Sequence, residues 1–262
     1  MIQSIYKGFI SETQKVKDTF TFWFTILGSL LIPFIFFLIY LFRVQNFIPP
    51  EDINPWTVFI NSNLQAISFL LFPLHIILII AININIEHHE NSWKKLFVLP
   101  VSRESIYISK LLFLLLQILI SLLIFAAALF VFGCILGLLH SELNFLKFRP
   151  EFTAFSKLIA RLFISILGIF SIQYVISLFF KNIIIPISFG VFLTIIASIL
   201  VQGWSHSIYF PYAFPMWFFL NSNQGLVMDT FYGLTVSEIT SCSLFILVNS
   251  FGVLLFKSMR LK

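Results

Sequence analysis

Long runs of apolar residues constrain this chain more than any other feature of its sequence. Six such runs occur, over residues 22–42, 64–86, 111–139, 158–180, 183–201 and 239–256. A helix rises about 1.5 Å per residue, so each run is long enough to cross a hydrocarbon core of about 30 Å. We therefore expect an all-α, polytopic membrane protein with six transmembrane helices, with five or seven spans as alternatives.

The composition excludes an ordinary soluble domain. Hydrophobic residues make up 59% of the chain and charged residues only 10%, whereas soluble domains carry about 25% charged residues. Cys134 and Cys242 both lie within apolar runs, so the sequence indicates neither a disulfide framework nor a zinc site. We expect one transmembrane domain over residues 1–262.

The distribution of Lys and Arg predicts the orientation. If both termini are cytoplasmic, 11 of the 16 Lys and Arg residues lie on the cytoplasmic side and five lie outside. One of the five is Arg161, at the start of the fourth span, where we expect its side chain to snorkel towards the membrane surface. In a chain this apolar, the net charge of +5 indicates membrane orientation and not a nucleic-acid partner. The five Arg against 11 Lys and the abundance of Phe are typical of a bacterium with an AT-rich genome.

The first twenty residues predict a separate amphipathic helix. Ile2, Ile5, Phe9 and Val16 follow near-helical spacing, and polar residues fill most of the positions between them. This pattern is typical of a helix lying on the cytoplasmic membrane surface, with its lysines near anionic headgroups. The alternative is a partly ordered leader.

The segment 87–110 between the second and third apolar runs is polar and charged. Pro100 ends one short helix because the residue before a proline is disfavoured in helix. Ser102 can cap a second helix that carries Glu104 in its first turn and continues into the third span. Such an elbow could receive a push from a soluble partner, or it could be a simple connecting loop.

His88, His89 and Glu90 invite a metal-site hypothesis, since imidazole and carboxylate groups bind zinc. Adjacent histidines point about 100° apart on a helix and do not readily chelate one ion together. We therefore predict no metal site and no catalytic residues. A metal-dependent membrane enzyme remains the least favoured alternative.

Three polar side chains inside the apolar runs are candidates for a substrate path: His75, Gln117 and Gln173. His75 follows Pro73 closely, so it could equally satisfy a backbone carbonyl that the proline leaves free. No Asp or Glu lies deep in any predicted span, and this argues against a proton-driven carrier.

The loop 203–237 before the last apolar run is aromatic and contains no Lys or Arg. Trp204, Tyr209, Tyr212 and Trp217 lie in its first half, which two prolines interrupt. The pattern predicts short re-entrant helices that dip into the outer leaflet, and an aromatic belt at the membrane surface is the alternative.

The chain lacks the Gly-rich phosphate-binding motif of nucleotide hydrolases, so any energy from ATP must come from another chain.

With its six spans, amino-terminal helix, charged loop and aromatic loop, the sequence resembles the type-2 ABC exporter permeases (ABC-2). The pattern Glu90-x-x-Trp93-Lys94-x-Leu96-x-x-x-Pro100-Val101-Ser102-Arg103, followed by Tyr107 and Lys110, is similar to the permeases of lantibiotic-immunity and bacitracin-export transporters.

The resemblance implies a half-transporter in the bacterial inner membrane. Two permease chains, identical or paralogous, would pair in the lipid, and each would bind a cytoplasmic ATPase that holds the ATP and Mg²⁺. The implied docking residues are Glu87, Glu90, Trp93, Lys94, Lys95, Pro100, Ser102, Arg103 and Tyr107. A path at the dimer interface, with His75, Gln117, Gln173, Trp204, Tyr209, Tyr212 and Trp217 as candidate residues, would export an amphipathic peptide or antibiotic. A secondary carrier or a non-transporting sensor subunit is the alternative.

Overall fold

The computed structural model describes residues 2–17, 19–50, 52–89, 101–223 and 233–258 and contains helices but no strand within those ranges. The α-helices are α1 (Ile2–Val16), α2 (Phe20–Phe42), α3 (Pro55–Ala66), α4 (Phe72–His89), α5 (Arg103–Leu139), α6 (Phe152–Ser165), α7 (Leu167–Phe179), α8 (Ile184–Gly203), α9 (Phe214–Asn223) and α10 (Val236–Ser258).

Six helical segments in the described ranges are long and apolar enough to cross a membrane, as the sequence predicts. They are α2, α3 with α4, α5, α6 with α7, α8 and α10. The helices of the second and fourth spans begin earlier than the apolar runs predict, at Pro55 and Phe152 instead of residues 64 and 158, whereas the third span continues from the predicted helix start after Ser102. Apolar runs mark the part of a helix that lies in hydrocarbon, whereas these helices extend beyond it through polar residues.

Local side chains explain where the two long helices begin. Asn54 accepts a hydrogen bond from the backbone N–H of Trp56, and Pro55 occupies the first turn of α3. As predicted, Ser102 caps α5 by accepting a hydrogen bond from the N–H of Ser105, and Glu104 lies in the first turn. The helix that follows has 37 residues and is therefore about 55 Å long.

Two spans are interrupted within the bundle. A π-helical turn at Ile67–Leu71 joins α3 to α4. The fourth span breaks between α6 and α7, where the Ser241 hydroxyl from α10 accepts from the Gly168 N–H at 2.9 Å and donates to the Ile164 carbonyl at 2.8 Å. A side chain inserted into the backbone ladder in this way is a common cause of a helix break.

The amino-terminal helix is present as α1 and packs against α5, where Phe9 lies edge-on to Phe113. Its location at a membrane surface stays a prediction. We call the end of the bundle that carries α1, His88 and Arg103 the α1 end. His88 contacts the Ser177 carbonyl there, and Arg103 donates to the Lys257 carbonyl, so α7 and α10 both finish at this end.

The first half of the aromatic loop folds into short helices at the opposite end of the bundle. Two 3-10 turns, Ser205–Tyr209 and Pro211–Ala213, lead into α9, which packs against α6, α10 and the π-helical turn. Tyr212, Phe214 and Phe218 are buried, whereas Trp204 and Tyr209 are exposed. The described part of the loop is therefore packed into the bundle, and its depth in a membrane stays a prediction.

An aromatic cluster holds the ends of α2, α3 and α5 together at the same end of the bundle. Trp56 donates from its indole N–H to the Phe145 carbonyl at 2.9 Å, and its ring lies edge-on to the Phe145 ring. Gly133 of α5 lies directly under the indole, where a Cβ atom would come within 2.4 Å of a ring carbon. The close approach of α3 and α5 therefore requires a residue without a side chain at position 133.

We expect the substitution Gly133→Leu to destabilise the protein by at least about 1–3 kcal/mol, because overpacking at this site must move Trp56. Gly203→Leu is the matched control, since no atom lies within 4 Å of the Cβ position there. The measurement is the thermal unfolding midpoint of each purified protein in detergent. Equal midpoints for the two variants would contradict the packing described.

Candidate functional site

Four charged side chains connect three helices at the α1 end. The Lys110 ammonium of α5 donates to Glu12 Oε2 of α1 at 2.8 Å and to Glu87 Oε1 of α4 at 2.6 Å. Lys15 of α1 donates to Glu12 Oε1 at 2.8 Å and to Glu87 Oε1 at 3.0 Å. We call Glu12, Lys15, Glu87 and Lys110 the ion network. It joins α1 to the two helices that flank residues 90–100.

Burial makes the ion network energetically important. Glu87 and Lys110 each have a side-chain exposure of 3%, and Glu12 has 10%. Two carboxylates face two ammonium groups, so the group is neutral as a whole. Removing one partner from a buried pair leaves an uncompensated charge, which is far more costly than losing an exposed pair.

The two members of the network on α1 are shifted towards their charged forms. Burial alone would raise the pKa of Glu12, but the ammonium groups of Lys110 and Lys15 outweigh it and lower that pKa. Burial alone would lower the pKa of Lys15, and the carboxylates of Glu87 and Glu12 raise it instead. Both groups therefore stabilise the fold at neutral pH. The contribution of Glu12 is lost as the pH falls through its lowered pKa, and that of Lys15 as the pH rises through its raised pKa.

A row of hydrogen-bonded polar side chains lies between α2, α4 and α5, inside the apolar spans. Gln117 donates to Thr25 at 2.7 Å and accepts from Asn83 at 3.1 Å. In a second set of contacts, the Ser121 hydroxyl lies 2.6 Å from that of Ser29 and 3.0 Å from Nε2 of His75. We call these six buried residues the polar seam: Thr25, Ser29, His75, Asn83, Gln117 and Ser121.

The polar seam and the ion network use the same helix faces. On α4, Asn83 lies one turn from Glu87 and His75 lies two turns further, while Gln117 lies two turns from Lys110 on α5. Because the bilayer provides no hydrogen-bond partners, Thr25, Gln117 and the Asn83 amide N–H bond to one another, as Ser29, His75 and Ser121 do, while the Asn83 Oδ1 is buried without a partner among the described residues. Polar groups therefore extend from the α1 end into the middle of the bundle.

Two cavities reach the polar seam, one on each side of α2. A cavity of about 400 Å³ is lined by Thr25 and Gln117, and one of about 270 Å³ is lined by Ser29, His75 and Ser121. The structure thus brings two of the predicted path residues, His75 and Gln117, into one seam beside cavities of ligand size.

The other predicted path residues lie elsewhere. Gln173 donates to the Pro186 carbonyl at 2.8 Å and accepts from the Tyr212 hydroxyl at 3.2 Å, so these two side chains form a separate buried pair near α8. Trp217 donates to the Ser207 hydroxyl at 3.1 Å, while Trp204 and Tyr209 are exposed. The seven predicted residues therefore do not line a single path within this chain.

Of the predicted docking residues, Glu90, Trp93, Lys94, Lys95 and Pro100 lie outside the described residues. Two others were expected at a docking surface but point into the bundle. Glu87 belongs to the ion network, and the Tyr107 hydroxyl donates to Asn249 at 2.9 Å, with both side chains buried. Their polar groups therefore have partners inside the chain. Ser102 and Arg103 lie at the start of α5, nearer the surface.

The pairing of Glu12, Lys15 and Lys110 is not predictable from the sequence alone. The i, i+3 spacing of Glu12 and Lys15 was visible, but nothing in one sequence indicates that both face Lys110. The Glu238 partner of Arg161 is a second pairing that was not predicted: Arg161 donates to both carboxylate oxygens of this buried residue, at 2.8 and 3.2 Å, and its snorkelling stays a prediction. The capping box Thr235-x-x-Glu238 was the available signal for a structured acidic residue there.

No group of three or more His, Cys, Asp or Glu side chains that could hold a metal ion occurs in the part of the chain that the structure describes. His88 instead contacts the Ser177 carbonyl at 3.2 Å, and the side chains of His89 and Glu90 lie outside the described set.

Comparison with known protein families gives a match over most of the chain. Residues 9–197 match the family described as ABC-2 family transporter protein, which is well over half of the 262 residues. No curated protein and no solved structure matches the chain. The matched range runs from α1 into α8, so it contains the ion network, the polar seam and residues 90–100.

We expect Lys110→Met to lower the free energy of unfolding by about 3–5 kcal/mol, because it leaves two buried carboxylates with Lys15 alone. Lys257→Met is the matched control, since Lys257 pairs with Glu104 at an exposed position, where an ion pair contributes about 0–1 kcal/mol. Thermal unfolding in detergent measures both. Adding Glu87→Gln to Lys110→Met should recover part of the loss, and equal effects of Lys110→Met and Lys257→Met would refute the buried network.

Proposed function

Because the chain belongs to the ABC-2 family of transporter proteins, we propose that it is the permease subunit of an ATP-driven exporter. Members of this family are membrane-spanning transport subunits that generally work with an ATPase subunit. The ATP and Mg²⁺ are held by that partner, and this chain contributes the spans. It is a multi-pass membrane protein, and we propose the bacterial inner membrane, with both termini cytoplasmic, as its location.

The observation that carries this proposal is the ion network, because it links α1 to both helices that flank residues 90–100. A partner that pushes on this segment at the cytoplasmic surface acts on α4 and α5 where Glu87 and Lys110 meet. The 37 residues of α5 then extend the movement about 55 Å along the bundle. The charged partners hold α1 to the same unit, so the three helices move together.

We propose residues 87–103 as the docking segment for the ATPase. Trp93 supplies the apolar anchor, and Lys94, Lys95 and Arg103 face acidic groups of the partner. Glu87 and Tyr107 are buried, which supports different roles for the implied docking residues. These two side chains transmit the movement inside the permease, and the remaining docking residues contact the ATPase.

The proposed substrate is an amphipathic molecule such as an antimicrobial peptide or antibiotic, exported for self-immunity or resistance. The polar seam supports this class, since the cavity of about 270 Å³ beside α2 combines apolar walls with the hydrogen-bonding groups of Ser29, His75 and Ser121 deep in the bundle. A second permease, either the same chain or a paralogue, completes the path. Exposed apolar residues on α2, α8 and α10, including Leu27, Phe192 and Leu247, supply surface for the second permease and for lipid.

The experiment is an affinity purification of the tagged chain from native membranes in mild detergent. We expect a co-purifying ATPase with a phosphate-binding loop, and we expect the double variant Trp93→Ala, Lys94→Ala to lose it. The matched control is Trp204→Ala with Lys157→Ala, which removes the same residue types at the opposite end of the bundle and should keep the ATPase.

Three outcomes are informative. Recovery of the intact wild-type chain without any ATPase would refute the exporter proposal and favour a secondary carrier or a sensor subunit. Retention of the ATPase by the Trp93, Lys94 variant would move the docking site away from these residues. Loss of the ATPase in the control variant as well would mean that the association depends on the fold as a whole and would refute the proposed segment.

A further inference from the structure

A groove runs along the bundle where α1, α2 and α5 meet. It is the cavity of about 400 Å³ that reaches the polar seam. Thr13 and Gln14 of α1 and Lys17, which directly follows this helix, border one end, and Phe22, Leu116 and Ile120 form part of its walls. Its lining on α5 extends from Phe113 to Ile124, a length of about 16 Å, leading away from the α1 end.

The walls of the groove on α2 and α5 are apolar and partly exposed. Its walls belong to two membrane-spanning helices, and Phe22, Leu116 and Ile120 are 39%, 37% and 42% exposed. In a chain of this family, exposed apolar side chains on the spans face the hydrocarbon or another membrane chain. An occupant therefore enters sideways from the membrane.

The chemistry of the lining changes along the groove. One end carries the Lys17 ammonium together with a hydroxyl and an amide from Thr13 and Gln14. Lys17 is the charged residue among the described lining residues, and Asp18, next in sequence, lies outside the described set. Beyond this end the walls are apolar, and the floor contains the hydrogen-bonded pair Thr25 and Gln117.

We propose that this groove binds a phospholipid from the leaflet at the α1 end. The phosphate contacts the Lys17 ammonium, and one acyl chain lies along α5 between Leu116 and Ile124. The cavity lies within the size range of ligand pockets, about 300–1,000 Å³. A phospholipid has a charged headgroup and apolar acyl chains. The groove has a cation at one end and apolar walls along the rest of its length, so each part of the lipid meets a matching part of the groove. The site follows from the membrane location and does not depend on which substrate is exported.

Native mass spectrometry of the purified protein, alone or with its co-purifying partners, tests the site. Delipidated protein is titrated with phosphatidylglycerol in detergent, and lipids retained per chain are counted. Leu116→Trp fills the groove, and Leu123→Trp is its control, because Leu123 lies on α5 and is 54% exposed without lining the groove. Lys17→Gln removes the cation, and Lys7→Gln removes an exposed cation of α1 outside the groove.

We expect Leu116→Trp to lose one phosphatidylglycerol per chain and Leu123→Trp to retain it. Lys17→Gln should weaken binding about fivefold, which corresponds to one lysine near an anionic surface, while Lys7→Gln has little effect. Diacylglycerol, which lacks the phosphate, should bind more weakly than phosphatidylglycerol and should not respond to Lys17→Gln.

The proposal is overturned if Leu116→Trp and Leu123→Trp retain equal numbers of lipids, or if the wild type retains none. It is also overturned if Ile120→Cys forms a disulfide-linked dimer in native membranes in high yield, because a second chain would then cover the groove. The lipid count is read without reference to the ATPase, so its result is separable from the test of the exporter.

Discussion

The lack of hydrogen-bond partners in the hydrocarbon of a bilayer is the constraint on which this structure depends. A polar group inside the spans is costly unless it finds a partner in the chain. Gln117 therefore bonds to Thr25 and Asn83, and His75 to Ser121. Ser241 satisfies backbone groups where α6 ends and α7 begins. Polar contacts in the spans consequently specify which helix faces meet, whereas apolar contacts alone would permit many arrangements.

A buried charged side chain needs a partner even more than an uncharged polar one does. Lys110 lies two turns inside α5 and is almost fully buried, so its ammonium needs the carboxylates of both Glu12 and Glu87. This requirement explains why α1, which does not cross the membrane in the predicted topology, is packed against α5. The ion network also joins α1, α4 and α5 by one set of ion pairs, close in sequence to residues 90–100.

The sequence predicted six spans because an apolar run of about 20 residues has few alternatives to a membrane helix. It also predicted the cap at Ser102, since that signal is local. The partners of Lys110 and Arg161 could not be predicted, because they depend on how helices distant in sequence pack. Glu12 and Lys110 are 98 residues apart, and Arg161 and Glu238 are 77 apart. The helices of the second and fourth spans are longer than predicted for another reason: hydropathy marks the apolar part of a helix, and a helix can continue beyond it through polar residues.

Helix α1 lies between the two features that the structure adds. Glu12 and Lys15 face the ion network, while Thr13 and Lys17 border the groove. These residues lie in the last turns of α1 or directly after it, so a shift of α1 changes the distance of Lys17 from the groove and the geometry of the contacts to Lys110. A phospholipid held by Lys17 would restrain α1 on the side of the groove. On the opposite side, Glu12 and Glu87 hold α1 and α4 to Lys110 of α5. The energy needed to move α5 would then depend on the surrounding lipid as well as on the contacts of the ion network.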